Sequence, residues 1–158
     1  RGYAQAKRGS DHAVISETTV RVRYAETDTM GVVYYGNYLT YFEVGRVEFL
    51  RQNGLPMSEV DRQVHLPVVE ALVRYLKPAR LDDLLRIRAW IGERKRASFV
   101  FRYEIRHAES GAVVATGETR HACWNPATQR TIAIPDWLGA LLIPPGDDPG
   151  AVVEAHRR

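Results

Sequence analysis

The chain has 158 residues, of which 45% are apolar and 26% charged, with a formal net charge of +3. That length suits a single domain with a buried core, and no apolar run approaches the roughly 20 residues that a membrane-spanning helix needs. The mild basicity is spread along the chain, without the basic face and interleaved aromatics of a nucleic-acid partner.

Residues 1–17 include Arg1, Lys7, Arg8, Asp11 and His12 with no continuous apolar stretch, which argues against a signal peptide and for a disordered tail. A folded domain is expected over residues 18–143. It opens on Thr19–Tyr24, where Val20, Val22 and Tyr24 alternate with Arg21 and Arg23 as in a half-buried strand. A polar turn follows, and Asn37 then caps a helix running to about Asn53, with Gly54 and Pro56 as stop signals. Tyr38, Leu39, Tyr41, Phe42, Val44, Val47, Phe49 and Leu50 cover most of its circumference, which predicts a helix wrapped by other structure. Glu43 and Arg46 are spaced to pair on it.

Strands are then expected over Val68–Lys77, Leu84–Arg94, Ser98–Arg106, Ala112–Trp124 and Thr131–Ile134, joined by tight turns. A short helix should begin near Pro135, and residues from Gly146 onward should fray, leaving 144–158 as a second tail. One helix followed by consecutive strands is an α+β pattern with an antiparallel sheet.

The chemistry concentrates between the first strand and the helix. Asp28 is followed by Gly31, and Gly36 precedes the helix cap. This order can set a carboxylate opposite the N–H groups of a helix entrance, which lack intrahelical partners and can hold a developing oxyanion. The carboxylate itself can attack a carbonyl or activate water. An Asp before a helix is also an ordinary turn residue, and the local pattern leaves both readings open.

The segment Val22–Leu39, with Tyr41-Phe42-Glu43 and Arg46 after it, resembles the 4-hydroxybenzoyl-CoA thioesterase family, closest to the branch of the Tol–Pal-associated acyl-CoA thioesterases. Lys77–Asp83 and Arg96–Phe101 resemble two further family blocks, and the likeness runs in order from about Val20 to Leu138. The resemblance implies a hotdog fold, an antiparallel sheet of five or six strands wrapped around one long helix. It implies hydrolysis of an acyl-CoA to free acid and CoA, with Asp28 as nucleophile or general base and the Tyr35 backbone N–H polarising the carbonyl. Gly31, Tyr34, Gly36, Asn37 and Tyr38 would line the substrate. Several relatives have His where this chain has Tyr35, so only the backbone role carries over. Hotdog relatives build their sites at subunit interfaces, which implies a homodimer or homotetramer.

Arg94-Lys95-Arg96 and Ser98 are candidates for the phosphates and pantetheine arm of CoA, against the plainer reading of a solvated hairpin tip. His65, His107 and His121 lack metal-ligand spacing, so no metal is expected, nor any cofactor beyond the CoA of the substrate. No Gly-x-Ser-x-Gly elbow is present. The lone Cys123 cannot form an internal disulfide and suits a reducing, cytoplasmic setting. An acyl carrier protein could deliver the same thioester. A non-catalytic acyl-thioester binder or scaffold and an enoyl-CoA hydratase are the rival functions on this fold.

Overall fold

A computed structural model describes residues 14–150. Strand β1 (Ile15–Arg21) leads through a 3-10 turn (Tyr24–Glu26) and a loop into helix α1 (Asn37–Gln52) and the short helix α2 (Met57–Asp61). Strands β2 (Val68–Tyr75), β3 (Leu84–Arg94), β4 (Ser98–His107) and β5 (Val113–Ala122) follow, then the two-residue strands β6 (Trp124–Asn125) and β7 (Arg130–Thr131), and helix α3 (Asp136–Gly139). The main sheet is antiparallel and five-stranded, in the order β1-β3-β4-β5-β2.

Alternation along β3 and β4 buries Leu85, Ile87, Ala89, Ile91, Phe99, Phe101, Tyr103 and Ile105, and these meet α1. Phe42 stacks on Tyr103 with centroids 4.3 Å apart, and Phe49 meets Phe101 edge-on at 5.3 Å. The opposite face carries alternating charges. There Glu104, fully buried, accepts from Arg88 at 3.3 Å and Arg106 at 2.5 Å.

Several local expectations shift. β1 starts at Ile15, inside the segment read as a tail, because its pairing with β3 runs from Ile15↔Trp90 to Arg21↔Leu84. Residues 1–13 and 151–158 of the two expected tails lie outside the described residues. Tyr24 leaves the strand and is 81% exposed. Gly36, not Asn37, occupies the cap position; Asn37 opens α1. That helix is wrapped on one side only: Leu39 and Glu43 are exposed in the single chain. Arg46 forms no ion pair with Glu43 among the described residues and interacts with Tyr103. The strand expected over Thr131–Ile134 is reduced to Arg130–Thr131. Beyond α3 the segment expected to fray returns to the sheet, where Asp148 meets Arg102 at 2.5 Å.

Beneath α1 runs a buried polar chain. The hydroxyls of Tyr103 and Thr119 are 2.6 Å apart, Thr119 Oγ1 is 2.7 Å from His121 Nε2, and His121 Nδ1 is 3.0 Å from the Leu66 carbonyl. With Nδ1–H donating to Leu66, Nε2 is left to accept, which fixes a neutral tautomer. Burial is the main cause that lowers the His121 pKa from 6.5 to about 4, and nearby Arg46 adds to it against the pull of the Leu66 carbonyl. The unfolded chain therefore takes up a proton first on acidification, so stability falls as pH drops from 6.5 toward 4. Urea unfolding should lose about 2 kcal/mol between pH 7.5 and pH 5, and His121→Gln should flatten that slope. An unchanged slope in the variant would assign the pH dependence to other groups.

Candidate active site

The loop between β1 and α1 is a small hairpin built on Asp28. Thr27 bridges to Val33, the Asp28 N–H donates to the Val32 carbonyl at 2.9 Å, and Gly31 N–H donates to the Asp28 carbonyl at 3.0 Å. Asp28 Oδ1 accepts from the N–H of Met30 at 2.8 Å and of Val32 at 3.4 Å. Gly31 sits at φ +77°, which a side chain would strain, so the glycine is what lets the turn close. Among the described residues, Asp28 Oδ2 accepts no hydrogen bond. One oxygen is tied into the turn and the other is free.

The hairpin is moored to the loop between β2 and β3. Val33 N–H donates to the Ala79 carbonyl at 2.8 Å and Val32 bridges to Arg80. Its far strand then runs directly into α1. Tyr34 N–H donates to the Glu26 carbonyl and Asn37 N–H to the Tyr34 carbonyl, both at 2.9 Å. Between them the N–H groups of Tyr35 and Gly36 bond to nothing among the described residues. They stand where the dipole of a 16-residue helix is positive.

Beside them opens a cleft of about 310 Å³ lined by Val32, Tyr35, Tyr38, Tyr75, Lys77 and Pro78. Tyr75 donates its hydroxyl to the Tyr35 carbonyl at 2.9 Å, which ties β2 to the helix entrance. Tyr38 meets Tyr75 edge-on at 5.2 Å. Burial, with Tyr75 nearby, raises Tyr38 to about 12, so it stays a neutral phenol. The rings of Tyr34 and Tyr35 lie 4.5 Å apart on the surface. Asp28, Gly31, Tyr34, Tyr35, Gly36, Asn37 and Tyr38 thus form one neighbourhood.

The basic candidates lie elsewhere. Asp28 sits at the Leu84 end of β3, whereas Arg94, Lys95, Arg96 and Ser98 form the hairpin at its other end, roughly 30 Å away along an 11-residue strand. Arg94 donates to the Gly139 carbonyl at 2.8 Å and Lys95 pairs with Glu93 at 3.4 Å. Within one chain these residues do not share a site with Asp28. The physical reason is strand length, which a basic cluster in sequence does not convey.

Glu26 entered no sequence-based candidate set, and Tyr41 only as an aromatic that could line a pocket or belong to the core. Glu26 is a carboxylate only 9% exposed, and the Tyr41 hydroxyl donates to it at 3.0 Å. The one available signal was the spacing of Arg23 and Glu26, which meet across the 3-10 turn at 3.2 Å. Among the described residues, no three His, Cys, Asp or Glu side chains are grouped to hold a metal ion.

A model of the thioesterase-like superfamily matches residues 22–142, which takes in the Asp28 hairpin, α1 and the main strands from β2 to β5. The chain belongs to this family. An acyl-CoA thioester hydrolase, YbgC, of Escherichia coli O157:H7 is 34% identical over 117 residues, covering 73% of this chain and 87% of that protein. A 1,4-dihydroxy-2-naphthoyl-CoA hydrolase of Thermosynechococcus vestitus is 31% identical over 123 residues, covering 77% and 84%. Among solved structures, protein TT1821 of Thermus thermophilus superposes with a TM-score of 0.74 at 39% identity, covering 80% of this chain and 95% of that one. The sheet wrapped on α1 is the hotdog arrangement of this superfamily.

Proposed function

We propose that the chain hydrolyses an acyl-CoA thioester to a free carboxylic acid and CoA. The observation that carries this reading is that one short loop supplies both an Asp28 Oδ2 and, at the entrance of α1, Tyr35 and Gly36 N–H groups that bond to nothing among the described residues. A thioester carbonyl oxygen accepting from these donors gains stabilisation as it becomes an oxyanion. Asp28 either adds to the carbonyl carbon or takes a proton from the water that adds. Collapse of the tetrahedral intermediate re-forms the C=O, breaks the C–S bond and expels CoA thiolate, which is then protonated. Where Asp28 is the nucleophile the acyl group stays on it as a mixed anhydride, which a water molecule cleaves to free acid and the restored carboxylate. Gly31 shapes the turn, and Tyr34, Gly36, Asn37 and Tyr38 frame the acyl group. The steps need only this chain's groups and water. A thioester on an acyl carrier protein presents the same reacting atoms.

A second copy completes the site in this reading. β2 is an edge strand with Val69 55%, Leu72 41% and Tyr75 49% exposed, an unpaired edge of the kind that recruits another strand. Its Tyr75 end lies by Tyr35 at the helix entrance and its Val68 end lies by His121 and Ser98. Antiparallel pairing of two β2 edges about a twofold axis therefore carries the second copy's Arg94–Ser98 hairpin toward the first copy's Asp28 end. Sedimentation of the 17.9 kDa chain should give a dimer or a pair of dimers. A monomer at micromolar concentration would remove this part of the proposal.

The test of the activity is a thiol-release screen over short-chain, long-chain and aromatic acyl-CoAs. Release from at least one class is expected, and the class identifies what the tyrosine-lined cleft accepts. Binding across the panel without thiol release would favour an acyl-thioester binder or scaffold. Addition of water to an enoyl-CoA with the thioester intact would favour a hydratase.

A further inference from the structure

The buried carboxylate beside the site has no part in the chemistry just described, yet more of the loop converges on it than on Asp28. Glu26 Oε1 accepts from the backbone N–H of Arg23 at 2.8 Å and from the Tyr41 hydroxyl at 3.0 Å, while Oε2 accepts from Arg23 Nε at 3.2 Å. Its carbonyl accepts the Tyr34 N–H at 2.9 Å and the Asn37 side-chain amide at 2.8 Å. One residue therefore joins four pieces of the molecule: the end of the β1 segment, the 3-10 turn, the strand leading to Tyr35, and the body of α1.

We infer that Glu26 is a positioning residue that holds the Asp28 carboxylate and the Tyr35 N–H at a fixed separation. The inference rests on the thioesterase reading for its effect on rate. Asp28 lies two residues after Glu26 and Tyr35 follows directly on Tyr34, so both reacting groups hang from bonds that Glu26 makes. The carboxylate side anchors to α1 through Tyr41, whose hydroxyl is held in its neutral, donating form first by burial and then by Glu26 itself. The carbonyl side anchors the helix entrance. With one end of the residue on each reacting group's support, loosening either end changes the distance between them, and a shift of about 1 Å can cost on the order of 10²-fold in rate. A carboxylate only 9% exposed in this position also leans on its partners, since little of it meets water.

Two variants test the assignment. Glu26→Gln keeps the shape and removes the charge, and Tyr41→Phe removes only the hydroxyl that Glu26 accepts. In the first, kcat should fall by about 10- to 100-fold with KM within about twofold of wild type. In the second, kcat should fall by about threefold to tenfold. Amide hydrogen exchange should quicken at least about tenfold at Val32 and Tyr34 in both variants, with the amides of β3 and β4 unchanged. A merely structural role would lower global protection and leave kcat of the folded enzyme unaltered. Unchanged kcat in a folded variant overturns the inference, and so does a lower kcat with Tyr34 exchange at the wild-type rate. If Glu26→Gln fails to fold, Tyr41→Phe decides by the same criteria. If wild type releases no thiol from any acyl-CoA, the hydrolase reading fails, and the exchange rates alone decide whether Glu26 holds the loop.

Discussion

Asp28→Asn is expected to lower kcat for thiol release by about 10³-fold or more, some 4 kcal/mol of transition-state stabilisation. The amide preserves the size of the side chain, and its oxygen can still accept from Met30 and Val32 N–H as Oδ1 does in the native turn. What changes is the free Oδ2, which becomes an NH₂ group with no lone pair for a carbonyl carbon and no affinity for a proton from water. The loss should therefore fall on kcat, with acyl-CoA binding and thermal stability close to wild type. Steady-state thiol release checks this alongside a melting curve. Turnover within about tenfold of wild type would remove Asp28 from the reaction.

Gly117→Ala should be the most damaging conservative change in the sheet. A Cβ there would lie 2.2 Å from the Leu72 carbonyl oxygen and 2.6 Å from Phe42 Cε2. Neither neighbour can yield cheaply. Leu72 belongs to the backbone of β2, which pairs with β5 at this point, and Phe42 is stacked between the helix and Tyr103. Relief requires β2 to peel outward or the Phe42 ring to leave its stack, an overpacking cost of about 3 kcal/mol. For a domain of this size that corresponds to a fall of about 10 °C in melting temperature. Because β2 also carries Tyr75, which bonds to the Tyr35 carbonyl, the variant should lose activity beyond its loss of folded protein. A melting temperature within about 2 °C of wild type would show that the strand pair absorbs the methyl group.

What could be read in the sequence follows the range over which each signal acts. The alternation in Leu84–Arg94 and Ser98–Arg106 and the apolar run of α1 are local, and the structure realises these elements within a residue or so, although α1 is wrapped on one side only. The start of β1 is not local. Ile15-Ser16-Glu17 has no alternation of its own and becomes strand because β3 is long enough to pair with it. α2 is five residues, too short to show a helical period, and β7 is two.

At the site, Asp28 in isolation looks like a turn residue, and in the structure it does close a turn. Its candidacy came from the order of blocks around it, which the hotdog frame and the family match support. Glu26 was illegible because its partner Tyr41 is 15 residues away and counted among the apolar residues of the helix. The Arg94–Arg96 cluster was visible as charge, but charge in sequence carries no address. The sheet places it at the far end from Asp28, so its use in CoA binding turns on a second copy of the chain.

The most direct test of thioester hydrolysis is product analysis in ¹⁸O-labelled water. The wild-type chain and an acyl-CoA that it turns over are incubated through many cycles and the products are weighed by mass spectrometry. Hydrolysis at the thioester carbonyl predicts CoA and free acid in equal amounts, with one labelled oxygen in the new carboxylate. Recovery of the intact thioester, or of label added elsewhere along the acyl chain, would contradict it.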